Sequence, residues 1–157
     1  KYIWNNWVYC NCTLVMSSTC TSEVKGSEEQ GSSNKVAIKK GEGGIEFSKM
    51  TLEEAKKEAR ATGKMIFIDA YTDWCGPCKK MAASTFTEQE VGEVFNSNFI
   101  NLKIEMEKNP DGKEVARMYN VRAYPTLIII DGEGNLVKQT IGFQTKERII
   151  SFAKSVL

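Results

Sequence analysis

The chain of 157 residues contains no histidine. That absence removes the Ser-His and Cys-His nucleophilic pairs and every imidazole metal ligand. Net charge is also nearly absent, at +1 with 26% charged residues, so there is no basic field of the kind that holds a nucleic acid. No run reaches the roughly 18 uncharged apolar residues that a membrane-spanning helix needs. Proline is scarce, with three in the chain. Two of them, Pro77 and Pro125, fall inside the motifs considered below.

Five cysteines are present, in two groups. Cys10, Cys12 and Cys20 lie in an unpatterned N-terminal stretch, whereas Cys75 and Cys78 lie within regular hydrophobic patterning. Residues 1–20 carry a basic residue, an apolar stretch interrupted by Asn5, Asn6 and Asn11, and then small residues. This is the outline of a signal peptide or lipoprotein leader, with Cys20 the candidate lipidation site. Residues 21–44 are rich in Ser, Gly, Glu and Lys and nearly free of large apolar side chains. Such a segment cannot bury enough surface to offset its ordering entropy and reads as a flexible linker. One folded domain is expected over residues 45–157.

Within that domain, Ile45–Phe47 reads as a short edge strand. Thr51-Leu52-Glu53-Glu54 is a capping box opening a helix that Gly63 ends. Lys64–Ala70 is a buried strand, and a helix follows Cys75 to about Phe86. Thr87-Glu88-Gln89-Glu90 reads as a second capping box, for a helix to about Asn96. Phe99–Glu105 alternates as a strand does. Asp111 is placed to cap a helix through Tyr119. Thr126–Ile130 and Leu136–Gly142 form a hairpin around Asp131–Asn135. Thr145 caps a last helix that buries Ile149, Ile150, Phe152 and Val156. The order β-α-β-α-α-β-α-β-β-α implies an α/β fold with a parallel pair in the first half and an antiparallel pair in the second.

The chemistry concentrates at Trp74-Cys75-Gly76-Pro77-Cys78. Two cysteines two residues apart can close and reopen a small disulfide. A helix N-terminus favours the thiolate at Cys75 through free N–H donors and the positive end of the dipole. Cys78, one turn on, is placed to attack the mixed disulfide that Cys75 forms. Pro77 in the first turn costs the helix little. A zinc half-site is the competing reading, but a structural zinc site takes four Cys or His ligands.

The segment Phe67-Ile68-Asp69-Ala70-Tyr71-Thr72-Asp73-Trp74-Cys75-Gly76-Pro77-Cys78-Lys79 resembles the active-site segment of thioredoxins. Val121-Arg122-Ala123-Tyr124-Pro125-Thr126 resembles the loop in which thioredoxins carry a cis-proline. The similarity covers residues 45–157. Thr85-Phe86-Thr87, the loop around Lys108-Asn109-Pro110 and Asp131-Gly132-Glu133-Gly134 resemble a branch of exported thioredoxin-like proteins. That branch includes the C-terminal periplasmic domain of the thiol:disulfide interchange protein DsbD. The resemblance implies a thioredoxin fold, a central mixed sheet of four to five strands flanked by helices.

It further implies that Asp69 is the buried carboxylate whose desolvation raises its pKa and which takes the proton of Cys78. Pro125 is implied to be the cis-proline, with the backbone beside Tyr124 pairing to an extended substrate segment. Trp74, Gly76 and Pro77 are implied to line the substrate side. Three positions depart from the pattern. Tyr71 replaces a tryptophan, Tyr124 is bulky, and Asn101 stands where the lysine partner of the aspartate is usual, with Lys103 two residues on.

The implied function is a thiol:disulfide oxidoreductase that needs no metal and no cofactor beyond its redox-active disulfide. It is expected to act as a monomer, in the periplasm or another exported compartment, anchored through Cys20; the cytoplasm is the alternative. Protein disulfides are the expected substrates and a thiol donor, a membrane protein, the expected source of electrons. Gly76-Pro77 places the potential nearer the value of about −270 mV for thioredoxin than that of about −120 mV for a strong oxidant. Two other readings stand beside this one: a non-catalytic thioredoxin-like binding module, and a metal-handling protein using Cys10, Cys12 and Cys20.

Overall fold

The structure is a computed structural model and describes residues 43–157. The expected leader, the lipidation site at Cys20 and the expected linker up to residue 42 lie outside the described residues; Gly43 and Gly44, assigned to the linker, pack against α3. The elements run α1 (Leu52–Thr62), β1 (Met65–Tyr71), α2 (Gly76–Ala83), α3 (Gln89–Asn98), β2 (Phe99–Glu105), α4 (Gly112–Met118), β3 (Thr126–Ile130), β4 (Leu136–Ile141) and α5 (Lys146–Lys154). The four strands form one sheet in the order β2-β1-β3-β4. β1 pairs parallel with β2 and antiparallel with β3, and the β3–β4 hairpin forms the far edge. Among the described residues no helix is long and apolar enough to cross a membrane.

The strand pleat divides the core into two layers. Ile66, Ile68 and Ala70 point to one face, where Leu52, Ala55 and Ala59 of α1 and Val115 of α4 cover them. Phe67 points to the other, against Met81 of α2, Phe95 of α3 and Ile149 and Phe152 of α5. β1 and β3 are therefore apolar on both faces, and their sequences run apolar without alternation. Phe67 meets Phe95 edge-on, with ring centroids 4.5 Å apart.

α1 starts as expected: the Thr51 hydroxyl accepts from the Glu54 N–H, and the Glu54 carboxylate accepts from the Thr51 N–H at 2.9 Å. Gly63 closes it in the left-handed region at φ 72°. Four local expectations are corrected. Ile45–Phe47 forms no strand; only Ser48 makes a bridge, to Leu102. The backbone N–H of Ile45 bonds the Phe86 carbonyl and that of Glu46 bonds the Asn96 side chain, which leaves no ladder to extend. α2 stops at Ala83 rather than Phe86, because the Ser84 hydroxyl bonds back to the Lys80 carbonyl and a 3-10 turn, Thr85–Thr87, follows. Thr87 makes no capping box: its hydroxyl donates to the Ser84 carbonyl, and α3 begins after Glu88. Asp111 stands at the N-cap position of α4 as expected, but its carboxylate makes no bond there and instead accepts from the Leu52 N–H of α1 at 2.8 Å, 59 residues away.

The chain entering the domain is pinned by two glycines. A Cβ on Gly92 would lie 2.4 Å from the Gly44 carbonyl oxygen, so α3 and the Gly43–Gly44 backbone touch directly. Gly92→Ala is expected to lower the free energy of unfolding by about 2 kcal/mol, since backbone must shift to admit the methyl. Gly76→Ala, with open space around its Cβ position, is expected to change it by less than about 0.5 kcal/mol. Urea denaturation of the two variants checks the difference.

Candidate active site

β1 delivers the site. Its last residues leave the sheet at Tyr71, and the loop Thr72–Trp74 leads into α2, with the Cys75 N–H bonded to the Thr72 carbonyl at 3.1 Å. Cys75 occupies the N-cap position of α2, in extended backbone. Its Sγ accepts the Cys78 N–H at 3.1 Å, the bond that a Ser or Asp oxygen makes at other helices. Cys75 and Cys78 form a disulfide, with their Cα atoms 5.3 Å apart. Gly76 and Pro77 fill the first turn, where a missing N–H leaves no bond unmade. The sulfur of Cys75 is the one that faces the free donors of the helix end, and negative charge is best placed there.

Asp69 lies on the face of β1 that carries Phe67, the face covered by α2, and is 1% exposed. Neither carboxylate oxygen has a hydrogen-bond partner. Burial pushes its pKa from 3.8 up to about 7, against the opposing charge of Lys103. Lys103 is its register partner on β2, with Nζ 3.9 Å from Asp69 Oδ2. The Lys103 ammonium also sits over the Tyr71 ring, 4.7 Å from its centroid. Asn101 pairs with Phe67 instead, and its amide is bonded to Glu46 and Asn96. Lys103, not Asn101, is therefore the cation beside the buried carboxyl.

The second motif meets the first at the carboxyl end of β1, where Ala70 pairs with Thr126. The Tyr124–Pro125 peptide bond is cis. The Pro125 carbonyl accepts from Gly142 N–H at 2.8 Å, and the Thr126 hydroxyl donates to the Ala123 carbonyl. Trp74 is 66% exposed and packs edge-on to the Tyr124 ring, 5.8 Å between centroids. The two sequence motifs, 50 residues apart, form one aromatic surface beside Cys75.

Sequence reasoning missed the turn that backs this surface. The Trp74 indole N–H donates to Glu107, Lys108 pairs with Asp73, and the Glu105 carboxylate accepts the Asp73 N–H. These contacts join residues 32 to 35 positions apart, and the likeness noted at the loop around Lys108 assigned it no contact with the redox loop. Among the described residues no cluster of three or more Cys, Asp or Glu side chains is placed to hold a metal ion.

Comparison with known proteins agrees with this geometry. A family described as thioredoxin-like domain matches residues 52–157. A thioredoxin of Alicyclobacillus acidocaldarius is 33% identical over 109 residues, 69% of this chain and 97% of that protein. The thiol:disulfide interchange protein DsbD of Colwellia psychrerythraea is also 33% identical over 109 residues, which is 67% of this chain but only 18% of that much longer protein. Among solved structures, a candidate disulphide-isomerase from Bacteroides thetaiotaomicron is 38% identical with a TM-score of 0.64, covering 71% of this chain and 92% of that one. The C-terminal domain of Neisseria meningitidis DsbD shares the fold, with a TM-score of 0.56 at 21% identity over 66% of this chain and 90% of that one. With its match running from the first helix to the last residue, this chain belongs to the thioredoxin-like family.

Proposed function

We infer that this protein is a thiol:disulfide oxidoreductase that reduces or exchanges disulfides in other proteins. The observation that carries the reading is the Cys75–Cys78 pair at the start of α2, with the Cys75 sulfur taking a helix N–H. In the dithiol form the Cys75 thiolate attacks one sulfur of a substrate disulfide. That bond breaks, the first substrate sulfur leaves as a thiolate that takes a proton from water, and a mixed disulfide joins Cys75 to the second. Cys78 then loses its proton to Asp69 and attacks the Cys75 sulfur, releasing the second substrate sulfur as a thiolate that takes a proton from water, while Asp69 returns its own to solvent. Two electrons pass from the cysteine pair to the substrate, the protons being exchanged through Asp69 and water, and a thiol donor must restore Cys75 and Cys78. The pair itself carries the electrons, so the reaction calls for no other cofactor.

Asp69 suits the acceptor role because a carboxyl titrating at about 7 exchanges its proton at neutral pH. Tyr124 and Pro125, beside Trp74, supply the surface on which an extended substrate segment would lie. For the cellular setting, the leader-like residues 1–20 and the likeness to part of DsbD support an exported protein fed by a membrane donor.

Cys78→Ala is expected to accumulate mixed disulfides on Cys75 in cells, identified by mass spectrometry on the peptide holding Trp74–Lys79. Capture of no protein, together with failure of the wild type to reduce insulin with dithiothreitol as donor, would sink the reading. Asp69→Asn is expected to slow turnover by about a hundredfold and to flatten its pH dependence around pH 7, as measured by insulin reduction across the range.

The same substitution has a stability signature. Between 3.8 and about 7 the folded protein keeps a proton that the unfolded chain has released, so native stability falls as pH rises through that window and then levels off. The whole difference is worth about 4 kcal/mol. Asp69→Asn is therefore expected to be more stable than the wild type above about pH 7, with the gap closing towards about pH 4. Urea titrations at the two ends check it.

A further inference from the structure

β2 ends in a turn that holds the redox loop from below. Glu105, its last residue, is 7% exposed. A carboxylate this buried is costly unless its lone pairs are filled. Here Oε1 accepts the Asp73 N–H at 3.3 Å and Oε2 accepts the Glu107 N–H at 2.9 Å and the Lys108 N–H. One side chain thus binds the backbone of the redox loop and the backbone of the turn. Two further links join the same segments. Trp74 Nε1 donates to Glu107 Oε1 at 3.1 Å, and Lys108 pairs with Asp73. The sheet adds a fourth, from the Met106 N–H to the Tyr71 carbonyl at 2.9 Å.

We propose that Glu105 is a positioning residue, the pin of a clasp formed by residues 105–108 that fixes Trp74 against Tyr124 and so holds the protein-substrate surface in shape beside Cys75. The proposal rests on the exchange reaction above and names what sets its preference for protein disulfides. Trp74 is 66% exposed, so packing alone does not hold it. The Glu107 bond sets the plane of the indole, and the Glu105 bonds set where Glu107 and the Trp74 backbone stand. A glutamine at 105 keeps one acceptor oxygen but turns an amide donor towards backbone N–H groups that already donate. It can satisfy the loop or the turn, not both. The clasp touches neither sulfur, so it acts on docking and not on sulfur exchange.

The test compares insulin with bis(2-hydroxyethyl) disulfide, a substrate too small to use the aromatic surface. Glu105→Gln and Glu107→Ala are each expected to raise KM for insulin by about tenfold, leaving kcat and the rate with the small disulfide within about twofold. Glu107 is exposed, so its variant folds even if the Glu105 variant does not. The Trp74 indole N–H resonance, assigned by its loss in Trp74→Phe, is expected to move in both variants. Equal slowing of both substrates, or an unchanged insulin KM, would overturn the clasp, as would an indole resonance that stays in place. Wild-type protein that turned over neither disulfide would overturn the exchange reaction instead, and the indole resonance would still decide the clasp.

Discussion

A strand paired on both edges and covered on both faces can meet solvent only at its ends. β1 is such a strand, set between β2 and β3 with α1 and α4 on one side and α2, α3 and α5 on the other. The rest of the molecule follows from that confinement. The loop at its carboxyl end carries the sulfurs, at one of the two places where the strand meets solvent. Its inward residues must be apolar, which makes Asp69 an exception with a cost. The same confinement puts the loop against its neighbours' ends, where Thr126 on β3 and Glu105 on β2 flank it.

Asp69 shows how burial becomes chemistry. Its carboxyl has no hydrogen-bond partner, and the lysine opposite stands 3.9 Å away, too far for a close pair. Desolvation therefore outweighs attraction, and the group titrates at about 7 and not near its ordinary value of 3.8. The stability lost as pH rises towards about 7 is the counterpart of keeping this carboxyl beneath α2. Cys75 shows the opposite arrangement. Its sulfur lies where the helix offers an unpaired N–H, so charge on it is welcomed. One site thus holds two groups in contrasting environments, a carboxyl without a hydrogen-bond partner and a sulfur that takes a helix N–H.

Much of this was legible along the chain. α1 could be bounded from Thr51, Glu54 and Gly63 because capping is local chemistry, completed within a turn. β2 and β3 fell on their expected residues, β2 from its alternation and β3 from its continuous apolar run. The failures share a cause. Thr87 and Asp111 are good caps in isolation, but each found another partner, Ser84 in the preceding turn and Leu52 across the domain. Ile45–Phe47 has the composition of a strand, yet its backbone donors were taken by Phe86 and Asn96. Polar side chains have several acceptable partners, and only the packed chain chooses among them.

The sequence by itself determined the reacting pair and its place at a helix start, because that short pattern's chemistry depends on neighbours in the chain, and its resemblance to thioredoxins pointed to Asp69 and the proline loop. Tertiary structure alone decided that Lys103 and not Asn101 faces Asp69, since strand register, not position in a motif, sets which side chains lie opposite. It alone brought Trp74 to Tyr124 and drew Glu105, Glu107 and Lys108 under the redox loop. Those contacts join segments dozens of residues apart, and their geometry exists only once the sheet has closed.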